Sequence, residues 1–253
     1  MNLGVEVSFF NALKIQADYF SEKREGIFLE RASLPLYVGI STKPYVNVGK
    51  MKNHGFDTSL EYNQRVGQVR LSGKANFTYA HNTIIDNDQP DWQYLYLNRR
   101  EQMLWQQYGL VAAGLFESQA DIDSWPKQTF GDVKPGDIKY IDINGDGKID
   151  SNDEKPIGWA SVPEIVYGFG LSAVWKGIDC SVFFQGAGHV TLQQSGSAIQ
   201  AFSARNMMES GVYEDIYYNH WSESNPIRMP NIHGCQSVPT RTTSVILLSG
   251  KRI

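Results

Sequence analysis

VRLSGKANFTYA, residues 69–80, alternates strictly. Val69, Leu71, Ala75, Phe77 and Tyr79 fall on one side, and Arg70, Ser72, Lys74, Asn76 and Thr78 on the other. A period of two is the signature of a strand with one apolar face and one polar face. Upstream, Phe56, Thr58, Leu60 and Tyr62 alternate with Asp57, Ser59 and Glu61. The short NQRVGQ between the two runs predicts a tight hairpin connection.

The same design recurs twice. Val5, Val7 and Phe9 lead through Asn11-Ala12 into Leu13, Ile15, Ala17 and Tyr19, which alternate with Lys14, Gln16 and Asp18. Farther on, Tyr167, Phe169, Leu171, Ala173 and Trp175 run to a Lys176-Gly177 turn, and Ile178, Cys180, Val182 and Phe184 return. The sequence thus predicts an all-β fold, an antiparallel meander of three hairpins with strands of about ten residues, enough for a tilted membrane crossing. Turns inside the hairpins are short. The connections between them, roughly residues 29–49 and 86–163, are long. Short turns at one end and long loops at the other are the habit of outer-membrane β-barrels. Loops beyond about 12–15 residues are uncommon in a compact soluble domain.

Composition narrows the classes. The chain has 253 residues and a formal net charge of −4, which disfavours nucleic acid as a partner. It holds 13 Tyr, 12 Phe, 6 Trp and 23 Gly. Tyr62, Tyr79 and Trp175 stand near strand ends, as interfacial aromatic girdles would require. No apolar run reaches about 18 residues, so no transmembrane helix is expected. MNLGVEVSFFNALK lacks the basic and apolar regions of a signal peptide. Cys180 and Cys235 lie far apart and are expected to be unpaired.

One segment stands apart from the strands. DINGDGKIDSND, residues 142–153, has the spacing of a calcium loop. Its ligands would be Asp142, Asn144, Asp146, the Lys148 carbonyl, Asp150 and Asp153, with Gly147 at the sharp turn. Carboxylates and an amide at this spacing suit a hard cation that takes six to eight oxygens. Asp153 stands where the usual bidentate residue is Glu, one methylene longer. Pro156 prevents a regular exit helix, so the loop is expected to be structural. A bound cation would pin a long excursion that is expected to have no core of its own.

The run PGDIKYIDINGDGKID, followed by PEIVYGFG and FFQGAG, resembles the C-terminal barrel of SusC/RagA-type TonB-linked outer-membrane proteins. VGKMKNHGFDTSLEYN, residues 48–63, is similar to a barrel segment of the same family. The resemblance covers most of residues 1–235. It implies a partial transmembrane barrel over residues 1–240, part of a 22-stranded one. It implies an importer of oligosaccharides or peptides that works with a SusD-like surface lipoprotein and with TonB, in contact with outer-membrane lipid. The family's signal peptide, plug domain, TonB box, last strands and terminal aromatic residue find no counterpart. The tail 241–253 is atypical. The chain is therefore expected to be a fragment, from a truncated or frameshifted gene.

No catalytic constellation is legible. His54, His81, His189, His220 and His233 are scattered, and no GxSxG elbow occurs. The Gly-rich GFG at 168–170 and GAG at 186–188 open no helix after a strand, so no nucleotide site is expected. The protein is not expected to be an enzyme. Trp221, Tyr217 and Tyr218 are candidates to stack on sugars. A different reading is a soluble calcium-stabilised β module that binds glycans, which would need no detergent.

Overall fold

A computed structural model of the chain describes residues 1–39, 42–192, 214–218 and 221–222. It divides into two compact units, residues 1–93, 98–106 and 159–190 forming one. The other comprises residues 94–97, 107–158 and the described residues from 191 on.

The first unit is a six-stranded antiparallel sheet. Its strands are β1 (Asn2–Phe9), β2 (Leu13–Glu30), β3 (Tyr45–Val66) and β4 (Val69–Asp86), then, after the long connection, two more. That connection carries β5 (Gln106–Gly109), β6 (Ala112–Leu115), β7 (Lys127–Gln128), β8 (Ile138–Tyr140), β9 (Lys148–Ile149) and β10 (Lys155–Ala160). The chain then re-enters the main sheet as β11 (Ile165–Trp175) and β12 (Ile178–Gly188). The order is β1-β2-β3-β4-β11-β12, so every neighbour in the sheet follows its partner in sequence once the long connection is passed.

The hairpin turns have the backbone that right-twisted strands favour. Phe10 and Asn11 both take positive φ (49° and 51°), as do Lys176 and Gly177 (47° and 87°). Between β3 and β4 a two-residue connection begins at Gly67, with φ 60°. Three features depart from expectation. Strands β2, β3 and β4 run for 18, 22 and 18 residues, well past the alternating runs. The connection between β2 and β3 is correspondingly shorter than the expected 29–49, since β2 ends at Glu30 and β3 starts at Tyr45. The β7–β9 pairing is parallel.

The second unit has a core, which corrects the expectation of a long loop without one. Phe116 and Ile149 are fully buried, and Leu115, Tyr140 and Ile157 are buried with them. Three two-stranded pieces, β5 with β10, β6 with β8 and β7 with β9, are threaded through the connection. A short helix, α1 (Gln119–Asp123), is capped by the Ser118 hydroxyl, which accepts the Asp121 amide. Lys139 joins Asp121 in an ion pair and lies 4.0 Å from the Trp125 ring centroid. The Trp125 indole donates to the Tyr140 carbonyl at 2.7 Å.

Among the described residues no helix is long and apolar enough to cross a membrane. Cys180 is a free, exposed thiol. Cys235, His220, His233 and the tail 241–253 lie outside the described residues.

Candidate functional site

The register of the main sheet turns six separate alternations into two continuous faces. Val7 pairs with Ile15, Ile15 with Leu60, Leu60 with Ala75, Ala75 with Phe169 and Phe169 with Phe184. That row crosses all six strands and is apolar throughout. The row toward the turns joins Leu13, Tyr62, Gly73, Leu171 and Val182. The row toward the long connections joins Leu3, Tyr19, Phe56, Tyr79 and Ile165. Aromatic pairs reinforce this face across strands: Phe169 stacks on Phe184 at 5.1 Å and Phe56 on Phe77 at 5.6 Å. Much of it is open to solvent, with Leu171 71% exposed and Phe184 55%.

The opposite face is polar. Lys14 pairs with Glu6 at 3.0 Å and Lys74 with Glu61 at 3.4 Å. Gln16, Asp18, Asp57, Ser59, Asn76, Ser172 and Ser181 share that face by alternation. A sheet with a mainly apolar face and a mainly polar one is what a wall between lipid and a hydrated lumen requires.

The acidic loop lies in the second unit, and each side chain expected to bind calcium accepts a backbone amide there. The Asp142 carboxylate accepts from Gly145 (2.7 Å) and Gly147 (2.9 Å). Asn144 Oδ1 accepts from Asp146, Asp146 from Lys148, and Asp150 from Asn152. Gly145 and Gly147 take φ of 75° and 82°, a conformation that side chains disfavour. Asp153 is fully buried. Its two oxygens accept the amides of Ile143, Asn144 and Asp150. With Asp150 it forms a reciprocal cap on the 3-10 turn Ser151–Asp153. A carboxylate has about four lone-pair sites, so Asp153 keeps roughly one to spare and Asp142 about two. Lys148, whose carbonyl completes the expected set, begins β9, and Ile149 beside it anchors the loop in the core. Among the described residues no three His, Cys, Asp or Glu side chains are drawn together as a metal site would draw them.

Two features escaped the sequence reading. Tyr96, distant in sequence, donates to the Asn152 carbonyl at 2.6 Å. Burial pushes its phenol up, and the negative charges of Asp153, Asp142 and Asp146 push the same way. In the first unit Glu164, only 4% exposed, bridges two imidazoles. One oxygen meets His81 Nδ1 and the other meets His189 Nδ1 at 3.0 Å. Trp159 stacks flat on His189 at 3.9 Å, and His54 meets His81 edge-on at 5.4 Å. No spacing connects Glu164 to either histidine. The candidate sugar-stacking aromatics separate. Tyr217 and Tyr218 are exposed, whereas a Cβ on Gly136 would come 2.4 Å from the Trp221 ring, so Trp221 is packed against backbone.

Similarity to known proteins agrees with this two-faced sheet. TonB-dependent receptor P3 of Formosa agariphila is 28% identical over 202 residues, 73% of this chain. TonB-dependent receptor P26 of the same organism is 25% identical over 269 aligned positions, which take in the whole chain. Both are TonB-dependent receptors, and the chain is similar to them in sequence. No family model matches it. The chain spans 20% and 26% of the length of those two relatives. Its fold is that of a barrel portion in the RagAB peptide transporter, with a TM-score of 0.66 at 19% identity over 94% of the chain. The "closed-closed" state of the RagAB peptide importer gives 0.61 at 20% identity. The fold is therefore all-β and the sheet a partial barrel.

Proposed function

We propose that the segment forms part of the wall of an outer-membrane, TonB-driven importer of oligosaccharides or peptides that works with a SusD-like surface lipoprotein. The observation that carries this reading is the register, which aligns apolar residues on one face of all six strands. Lipid is the solvent that such a face suits. A soluble glycan-binding module would leave Leu171, Phe169 and Phe184 to water. The relatives are named as receptors and transporters rather than enzymes, which supports a transport role without chemistry.

The test is fractionation followed by purification. The protein should partition with outer membranes, require detergent, and bring a surface lipoprotein with it under mild extraction. A clear monomer in plain buffer would overturn the reading.

We further propose that the 142–153 loop takes calcium. The oxygen-only donor set and the positive-φ turns at Gly145 and Gly147 support this. Binding would require Asp142, Asp146 and Asp150 to swing lone pairs toward a common centre while Asp153 holds the loop shut. Calcium should then slow proteolysis within residues 130–160, and Asp146→Ala should remove that protection while the barrel stays folded. Equal cleavage with calcium or chelator would leave an acidic turn.

A further inference from the structure

We infer that Lys23 and Lys52 form a binding site, on the apolar-face side of the sheet, for the phosphate of an anionic outer-leaflet lipid. This rests on the outer-membrane reading above. The apolar rows end at Tyr19, Phe56 and Tyr79, an aromatic row at the long-connection end. The strands do not end there. On the same face by alternation, Ser21 opposes His54, and Lys23 then opposes Lys52. Two residues farther, Glu25 opposes Lys50.

Like charges directly opposed on neighbouring strands destabilise a sheet, so this pair brings no gain to the sheet itself. Its single acid does not balance it. Lys23 meets Glu25 at 2.7 Å, but both are more than half exposed and the pair is weak. Lys50 and Lys52 are exposed and make no ion pair among the described residues. On the other face Lys14, Lys74 and Arg24 each have a carboxylate within 3.4 Å, whereas Lys52 has none among the described residues.

Position supplies the rest. Aromatic girdles sit at the level of the lipid headgroups. At about 3.3 Å per residue, Lys23 stands roughly 13 Å along the strand from Tyr19, and its long stem can reach back toward the girdle. Short turns mark the periplasmic end and long connections the outer one, which puts the pair in the outer leaflet. Two ammonium groups carried at directly opposed strand positions answer one phosphate with charge-assisted hydrogen bonds.

The experiment is native mass spectrometry of the detergent-purified protein with monophosphoryl lipid A, its dephosphorylated form, and inorganic phosphate. The wild type should retain the phosphorylated lipid at least tenfold better than the dephosphorylated one. K23Q/K52Q should lose that preference, K23R/K52R should keep it, and K14Q/K74Q on the other face should not change it. Folding is checked by heat-dependent gel mobility; should K23Q/K52Q misfold, K52Q alone is read the same way. Retention that ignores K23Q/K52Q, or no preference for the phosphorylated form, overturns the site. Equal occupancy by inorganic phosphate means an adventitious ion only and overturns it too. In each of those cases the protein remains a membrane barrel. A detergent-free soluble monomer would instead defeat the barrel reading and this inference together.

Discussion

A buried carboxylate with two imidazoles and nothing else is a costly arrangement unless every lone pair and proton is placed. Glu164 sits just before β11, where Ala80 donates to its carbonyl at 2.9 Å, so its backbone is tied to the sheet before its side chain is. Glu164→Leu would leave both ring nitrogens without their acceptor. We expect a loss of about 1.5–3 kcal/mol in a denaturant titration in detergent, the range for hydrogen bonds to charged groups. Glu164→Gln should cost less, because an amide can accept from one imidazole and donate to the other after a tautomer change. Equal losses for Leu and Gln would mean that shape alone matters at this position. The Asp121–Lys139 pair makes a different prediction. The Lys139 ammonium holds the Asp121 carboxyl below its ordinary value. A carboxyl lowered on folding adds stability above its unfolded pKa, and this is lost as pH falls through the folded value. Lys139→Met should therefore flatten the acid limb of unfolding below about pH 4, followed by Trp125 fluorescence. An unchanged acid limb would show that solvent screens the pair completely.

At the scale of the strand, depth decides. Leu71 was legible as apolar-facing, but the register places it nearer the turn than the middle row through Leu60 and Ala75. Leu60→Arg puts a charge in that middle row and should cost about 2–4 kcal/mol in a refolding titration. Ser59→Arg, on the polar face one residue away, should cost far less. Similar costs would mean that the faces are not lipid and water. This contrast was readable from the sequence because side-chain alternation is a local property: Phe56 to Tyr62 and Val69 to Tyr79 announce their faces without any partner. The extension of β2, β3 and β4 was not readable. Beyond Tyr19 the same face carries Ser21, Lys23 and Glu25, and the apolar signal that identifies a strand vanishes although pairing continues from Ser21 and His54 out to Glu30 and Tyr45. The acidic loop was legible by spacing, yet the role of Asp153 as a buried cap was not. Nothing in the order of residues shows that Ile143, Asn144 and Asp150 turn their amides to it.

At the scale of the whole molecule, the sheet is unfinished. Among the described residues β1 has one neighbour, β2, and β12 has one neighbour, β11. Each outer edge presents a row of unpaired amides and carbonyls, and in hydrocarbon every such group costs several kcal/mol. A closed barrel removes both edges, and this chain covers 25% of the length of the RagAB chain whose fold it shares. The edges also carry exposed apolar side chains, Val5 and Leu3 on β1 and Val182 and Phe184 on β12. The chain refolded alone in detergent should therefore not be monodisperse, because β12 of one copy can pair with β1 of another in a head-to-tail series that need not close. Light scattering during size-exclusion chromatography should give a spread of masses above that of one chain. Hydrogen exchange should protect the paired amides of β3 and β4 most. Shielding each edge should narrow the spread: a proline in place of Phe183, whose amide faces away from β11, removes one edge donor, and a lysine at Val5 on the apolar face discourages pairing, two ways in which natural sheets blunt their edges. A single sharp monomer peak, with β1 and β12 as well protected as β3, would mean that these six strands satisfy their own edges and need no larger barrel.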